Sequence, residues 1–185
     1  MELSANAKAQ LRLRFRHDRA LSQSAESFDS WKHILEADEI KGADHIASYI
    51  SYGDEPQTSD LNEAFLKSGK SLYLPRLLAD NSLEWVEWSG DESQLKKKKN
   101  IREPLGPAVD PAQIQVIIVP ALHINHEGYR LGQGGGSYDR ALAGSAAWTI
   151  GLVYAGELTN ENIFVAPHDQ KLNAAATPAL IVRFV

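Results

Sequence analysis

Apolar and polar residues recur along the chain at two spacings, one typical of helices and one typical of strands. Residues 5–20 predict a helix on which basic residues at i, i+4, i+8 and i+11 line one face: Lys8, Arg12, Arg16 and Arg19. A second helix is predicted where apolar residues recur at i, i+3 and i+7: Phe28, Trp31 and Leu35. The segment SDLNEAFLKSG (59–69) predicts a third helix, which Gly69 ends.

Strand-like segments lie between these helices. HIASYISY (45–52) is rich in β-branched and aromatic residues, which favour strands. SLYLPRL (71–77) and SLEWVEW (82–88) flank the turn residues ADN and predict a β-hairpin. VIIVPAL (116–122) is apolar without alternation, which is typical of a strand that is buried on both faces of a sheet.

The C-terminal part continues this alternation. A helix is predicted from Tyr138, and two further strands are predicted at TIGLVYA (149–155) and ALIVRFV (179–185). Strands that alternate with helices predict an α/β fold with a largely parallel central sheet flanked by helices. The length of 185 residues fits one domain, residues 1–185, with a full-sized core.

Composition excludes several classes of protein. The hydrophobic fraction of 43% and the charged fraction of 23% are those of a soluble globular protein. Because the chain has no cysteine, disulfides, thiolate metal sites and a cysteine nucleophile are excluded. The first residues lack the apolar core of a secretory signal and no apolar run could span a bilayer, so we expect a cytoplasmic protein without a membrane partner. The net charge of −5 argues against a nucleic-acid partner, and Lys96–Lys99 is expected in an exposed loop.

The segment GYRLGQGGGSYDR (128–140) carries the clearest chemical signal. Consecutive glycines before a predicted helix allow backbone N–H groups to turn toward one point, which suits a phosphate group. Arg130 and Arg140 add positive charge, and Asp139 offers an oxygen ligand for a hard cation. A Walker loop needs Lys and then Ser or Thr after its last glycine, and a dinucleotide loop needs G-x-G-x-x-G; the segment has neither. The alternative is a tight turn that only connects a strand to a helix.

This segment resembles the signature of the 5-formyltetrahydrofolate cyclo-ligases, also called 5,10-methenyltetrahydrofolate synthetases. That family carries a loop close to RLGxGxGxYD after a buried strand that ends in Pro. Shorter family motifs follow in the family's order: KAQLR, YISYGDEPQT, LYLPR, REP and PHDQKL. The resemblance implies a single three-layer domain of the NagB/RpiA/CoA-transferase-like type.

The resemblance also implies a reaction. 5-Formyltetrahydrofolate and ATP are converted to 5,10-methenyltetrahydrofolate, ADP and phosphate, with Mg²⁺. The formyl oxygen attacks the γ-phosphate, N10 closes the ring, and phosphate leaves. The implied partners are therefore the folate and ATP, and we expect a monomer.

Site residues are implied by the same resemblance. ATP is expected to contact Lys8, Ala9, Gln10, Leu11 and Arg12 together with Arg130, Leu131, Gly132, Gln133, Gly134, Gly135, Gly136, Ser137 and Tyr138. Arg130 is the implied catalytic residue, which stabilises charge on the transferred group. The folate is expected to contact Ile50, Glu55, Gln133, Gly134, Gly135, Gly136 and Ser137. The implied Mg²⁺ ligands are Asp139 and Asp169.

Other positions depart from the family or have a simpler interpretation. Arg16 and Arg19 match no family contact and are expected on the solvated surface. Glu55 taken alone is a surface loop charge. The family often has an aromatic residue in place of Ser137, and a serine there is alternatively a cap for a helix that starts at Tyr138.

Two other functions stay open from the residues alone. One is a different ATP- or phosphosugar-dependent enzyme with the same fold, because a fold does not decide chemistry. The other is a non-catalytic regulator that binds nucleotide or RNA through the basic N-terminal helix and Lys96–Lys99.

Overall fold

A computed structural model describes residues 2–22, 31–98 and 100–184. The helices are α1 (Glu2–Ser22), α2 (Asp38–Lys41), α3 (Ser59–Lys67) and α4 (Ser137–Leu142), with short 3₁₀ helices at Lys32–Glu36, Glu92–Gln94, Pro111–Gln113 and Ala155–Glu157. The strands are β1 (His45–Ala47), β2 (Ser71–Leu77), β3 (Leu83–Glu87), β4 (Leu95–Lys98), β5 (Ile101–Pro104), β6 (Ala108–Val109), β7 (Val116–Pro120), β8 (His123–Asn125), β9 (Arg130–Leu131), β10 (Trp148–Leu152), β11 (Leu158–Thr159), β12 (Ala174–Ala176) and β13 (Ile181–Arg183).

Eight strands form the central sheet in the order β13-β12-β10-β7-β1-β2-β3-β6. The five strands from β12 to β2 are parallel to their neighbours, and the edges are antiparallel through β13, β3 and β6. The predicted α/β fold class with a largely parallel sheet is confirmed. The predicted hairpin is confirmed as β2 and β3, in which Pro75 faces Trp85.

Strand β7 has apolar side chains on both of its faces, as its unbroken apolar sequence predicts. Val116 and Ile118 belong to the core under α2 and α3, where Ile40 and Phe65 are fully buried. Ile117 and Val119 point to the opposite face and pack in the core beneath α4. The sheet is therefore covered on both faces.

Some local predictions are wrong. The strand predicted at 45–52 ends at Ala47, and the rest is a loop that carries candidate folate residues. Of the predicted second helix, Phe28 lies outside the described residues, and Trp31 only precedes the short 3₁₀ helix Lys32–Glu36. Lys96–Lys98 are exposed as expected, but they belong to β4, which pairs with β5 in an antiparallel hairpin, and not to a loop; Lys99 lies outside the described residues.

A smaller sheet, in the order β11-β8-β9, holds the start of the glycine loop against the central sheet. Its close approach depends on Gly151 in β10, where a Cβ atom would lie 2.4 Å from Ile124 Cδ1 and 2.7 Å from Leu172 Cδ1. Helix α1 packs on this small sheet through Phe15, which is buried with Leu122 and Leu131 and stacks on His123 with ring centroids 4.3 Å apart. In the described part of the chain, no helix is both long and apolar enough to cross a bilayer.

Candidate active site

The glycine loop runs from the end of β9 to the start of α4. Gly134 and Gly136 have positive φ values of 110° and 67°, a region that favours glycine. Gly136 is the N-cap residue, so the helix begins at Ser137 and the interpretation of Ser137 as its cap is wrong. The loop itself is solvent-exposed from Gln133 to Gly135.

Arg130 is held beside Asp139 at the base of this loop. Arg130 Nη2 donates to Asp139 Oδ1 over 2.8 Å, and Nη1 donates to the Gln170 carbonyl over 3.0 Å. Asp139 Oδ1 also accepts from the Gln170 N–H at 3.2 Å. Burial lowers the pKa of Arg130, and the neighbouring Asp139 opposes this shift, so the guanidinium stays charged. The arrangement fixes a buried cation next to a carboxylate.

Lys8 and Asp169 form the second charged pair. Lys8 Nζ lies 2.5 Å from Asp169 Oδ2, which also accepts from the Ala166 N–H at 2.6 Å. Burial alone raises the pKa of Asp169, but the hydrogen bonds from Ala166 and Lys8 outweigh it, and the pKa is lowered. Asp169 is therefore a carboxylate at neutral pH.

Helix α1 is bonded to the glycine loop by two arginines. Arg12 Nε donates to the Gly132 carbonyl at 2.9 Å. Burial lowers the pKa of Arg12, and electrostatic interactions with Asp169 and Asp139 partly oppose this shift. Arg16 donates to Gln133 Oε1 from Nε at 3.0 Å and from Nη2 at 2.7 Å. Arg16 is exposed, so its predicted position on the solvated surface is confirmed, and the sequence did not show that it is bonded to the loop.

Arg19 was also predicted on the solvated surface, and this prediction is wrong. Its side chain is buried, with 4% of its surface exposed. Nε and Nη2 each donate over 2.6 Å to a different oxygen of Glu157, and Nη2 donates to the Ala121 carbonyl over 2.7 Å. Lys8, Arg12, Arg16 and Arg19 are thus each bonded to protein groups.

Glu55 lies in the loop that follows β1, and it is not the surface charge of the simpler interpretation. Only 6% of its surface is exposed. Burial raises its pKa to about 7, against lowering contributions from the Tyr52 N–H, from Arg19 and from the side chain of Gln133. Ile50 is half-buried in the same loop. The structure therefore brings the folate candidate Glu55 to the glycine-loop candidate Gln133.

The two aspartates fit a magnesium ion that also takes phosphate oxygens. Within the described residues, no group of three or more His, Asp or Glu side chains could hold a metal alone. Asp139 accepts its described hydrogen bonds through Oδ1, and Asp169 accepts its own through Oδ2. Each carboxylate therefore keeps a second oxygen that accepts no described hydrogen bond, and the one of Asp169 lies 3.8 Å from His168 Nε2. Mg²⁺ commonly binds one or two carboxylates with phosphates and waters.

Sequence reasoning missed Arg19, Glu157 and the Arg16–Gln133 contact. These contacts join residues more than 100 positions apart, and the i+4 spacing of α1 indicated only a shared face. His123, in β8, is buried against Phe15, and burial lowers its pKa to about 4. His126 is exposed.

Comparison with known proteins identifies the family. The profile described as the 5-formyltetrahydrofolate cyclo-ligase family matches residues 4–178. The 5-formyltetrahydrofolate cyclo-ligase of Mycolicibacterium smegmatis is 30% identical over 194 residues, covering 95% of this chain and 96% of the relative. The Escherichia coli K12 protein of that name is 27% identical over 144 residues, covering 74% of this chain and 79% of the relative. The NMR structure of Aquifex aeolicus 5,10-methenyltetrahydrofolate synthetase superimposes with a TM-score of 0.81 at 27% identity, covering 95% of this chain and 92% of that one.

Proposed function

The chain belongs to the 5-formyltetrahydrofolate cyclo-ligase family, and we propose that it uses ATP and Mg²⁺ to convert 5-formyltetrahydrofolate to 5,10-methenyltetrahydrofolate, ADP and phosphate. The observation that carries this proposal is the pairing of Arg130 with Asp139 and of Lys8 with Asp169 around one glycine loop. Arg12 interacts electrostatically with both aspartates and adds a third positive charge to those of Lys8 and Arg130. This is a site for a strongly anionic ligand together with a divalent cation.

Phosphoryl transfer needs positioning and charge neutralisation more than covalent work from the protein. The formyl oxygen attacks the γ-phosphorus and forms a P–O bond while the bond to ADP breaks. N10 then attacks the activated formyl carbon, the formyl oxygen leaves with the phosphate, and the proton lost from N10 balances the charge of the released phosphate. Water must be kept from the γ-phosphate, so ATP consumption is expected only with the folate in place.

Each proposed role matches a property of the residue. Arg130 is buried and fixed by two hydrogen bonds, which suits a donor aimed at charge that develops in the transition state. The proposed ATP contacts are residues 8–12 of α1 and residues 130–138 of the loop. A bound Mg²⁺ would neutralise part of the triphosphate charge, with Asp139 and Asp169 as its carboxylate ligands.

The proposed folate contacts are Ile50, Glu55 and residues 133–137. A carboxylate accepts hydrogen bonds only, so ionised Glu55 suits the N–H groups of a pterin. Its burial and its electrostatic interaction with Gln133 support a position for this acceptor next to the phosphate loop. The folate and the nucleotide would then meet at the loop.

The direct test is to follow ADP release by the purified protein with and without 5-formyltetrahydrofolate. We expect ADP only when the folate is present, in equal amounts to the methenyl product. ATP turnover at the same rate without the folate would contradict the proposal. A single domain over residues 1–185 and a cytoplasmic monomer without nucleic acid stay predictions from the sequence.

A further inference from the structure

Arg140 connects the glycine loop to the turn between β2 and β3. It lies in α4, and its side chain is exposed. One nitrogen, Nη2, donates to the Gly135 carbonyl and to the Asn81 carbonyl, each over 2.7 Å. Nη1 lies 3.0 Å from the position that a Cβ atom would occupy on Gly136, so the guanidinium covers this glycine directly. None of the contacts that the family resemblance implies includes Arg140.

The turn between β2 and β3 gives this guanidinium a fixed anchor. The Asn81 N–H donates to the Leu78 carbonyl at 3.1 Å, and the Leu78 N–H donates to the Ser82 carbonyl at 3.0 Å. The turn follows the carboxyl end of β2, and ligands of open α/β sheets bind beyond the carboxyl ends of the parallel strands. Arg140 therefore ties the glycine loop to a closed turn at the same edge of the sheet.

The described hydrogen bonds of the glycine loop use its carbonyl groups. Three arginine side chains donate to them: Arg12 to the carbonyl of Gly132, Arg16 to that of Gln133 and Arg140 to that of Gly135. Within the described part of the chain, the N–H groups of residues 133–136 donate no hydrogen bond. Because N–H groups bind an anion and carbonyl oxygens repel it, the loop keeps the groups that a phosphate needs.

The Gly135 carbonyl and the Gly136 N–H belong to the same peptide unit. A trans peptide is planar, and its C=O and N–H groups point in opposite directions. Since Arg140 holds the carbonyl, the Gly136 N–H is directed away from the guanidinium. A peptide between two glycines can reverse at little steric cost, and the reversed unit would turn its carbonyl to the side of the N–H.

We propose that Arg140 is a positioning residue for the phosphate-binding loop: it holds the Gly135 carbonyl so that the Gly136 N–H donates to a phosphate group of the nucleotide. This inference rests on the proposed function, in which residues 130–138 contact ATP. Arg140 acts through the loop, because both hydrogen bonds of its Nη2 go to protein carbonyls.

Two variants separate this positioning from the loss of a positive charge. Arg140→Met removes both donated hydrogen bonds and keeps an unbranched apolar stem. Arg14→Met is the matched control, because Arg14 is also an exposed arginine, pairs with Glu161 and has no described contact with the glycine loop. Each variant removes one positive charge.

The experiment is a titration with ATP and Mg²⁺, without the folate, of protein whose glycines carry an NMR-active nitrogen label. The chain has 13 glycines, so the spectrum reports the Gly136 amide and also shows through the other glycines that the fold is retained. In Arg140→Met, we expect the Kd for ATP to rise about three- to tenfold, the value of one hydrogen bond. The shift of the Gly136 amide resonance at saturating ATP should fall well below that of the wild type, and Arg14→Met should keep both wild-type values.

An equal Kd for ATP in Arg140→Met and Arg14→Met would overturn the positioning role. A Gly136 resonance that does not move when ATP binds the wild type, or that moves as far in Arg140→Met, would also overturn it. Wild-type protein that binds ATP but forms no methenyl product would overturn the proposed function alone. Wild-type protein that does not bind ATP would overturn both.

Discussion

Arg19 and Glu157 form a bidentate ion pair in the interior, with both N···O distances at 2.6 Å. The pair joins α1 to the 3₁₀ helix Ala155–Glu157 that follows β10, and the Ala121 carbonyl accepts a further hydrogen bond from Arg19. Glu157 also accepts from the Tyr154 N–H at 2.8 Å. This buried contact fixes the helix that carries Lys8, Arg12 and Arg16.

Removal of one partner of this pair should strongly destabilise the protein. Glu157→Gln leaves the Arg19 guanidinium buried without a carboxylate, and Arg19→Met leaves the Glu157 carboxylate buried without a cation. We expect each change to lower the free energy of unfolding by about 3–5 kcal/mol. The exposed pair of Arg14 and Glu161 is the control, since Arg14→Gln should cost about 1 kcal/mol or less. Urea unfolding of the three variants measures this, and equal effects in Glu157→Gln and Arg14→Gln would contradict the assignment.

Arg130→Lys should lower kcat much more than it raises the KM for ATP. Lysine keeps the charge but cannot make both bonds, to Asp139 and to the Gln170 carbonyl, in the same geometry. We expect a fall in kcat of about 10²-fold or more, as for other donors aimed at transition-state charge. Steady-state kinetics at saturating folate measure the effect. A purely proportional rise in the KM for ATP would assign Arg130 to ground-state binding.

Asp139→Asn and Asp169→Asn should each raise the magnesium concentration needed for half-maximal turnover. Each change removes a full charge from a site with few protein ligands. Asp44→Asn is a suitable control, because Asp44 is exposed at the start of β1, at the opposite end of the strand from the candidate site. Magnesium titration at fixed ATP separates the variants, and an unchanged half-saturation removes that aspartate from the metal site.

Glu55→Gln should alter both folate affinity and the pH dependence of stability. The folded pKa of about 7 lies above the ordinary value of 4.5, so the fold favours the protonated form. Glu55 is therefore most compatible with the fold below pH 4.5, and its ionisation costs stability as the pH rises through 7. Glutamine resembles the protonated form and does not titrate.

We accordingly expect Glu55→Gln to unfold with less pH dependence between pH 5 and 8 (about the titration window) and to be more stable than the wild type at the upper end. Folate binding should weaken while ATP binding stays the same, because the amide is no longer an acceptor only. Thermal unfolding across pH, with binding assays at one pH, measures both. Equal weakening of folate and ATP would indicate a general defect of the loop.

The fold was predictable from sequence where one pattern dominated. The unbroken apolar run of β7 has to be buried on two faces, and the hairpin of β2 and β3 follows from its turn residues. Local patterns failed where distant contacts decide the structure. Residues 48–52 have strand-like side chains, yet the strand ends at Ala47, and Thr58 and Asn62 bond the Tyr49 carbonyl instead of a strand neighbour.

The candidate site was predictable to a smaller extent. Glycines flanked by arginines and an aspartate indicated a phosphate loop, and the family resemblance selected Lys8, Glu55 and Asp169 from many similar residues. Periodicity could not show that Arg19 is buried. A helical period shows which side chains share a face, but it does not show what that face contacts. Glu157 lies 138 positions away in sequence, so only the folded chain brings them together.

The most direct measurement is the formation of the methenyl chromophore from 5-formyltetrahydrofolate by the purified protein. The reaction is followed with ATP and Mg²⁺ together, with ATP and a chelator, and with Mg²⁺ alone. We expect the chromophore to form only when both are present, with one ADP released for each product molecule. Formation at the same rate without ATP, or no formation when both are present, would contradict the proposed reaction.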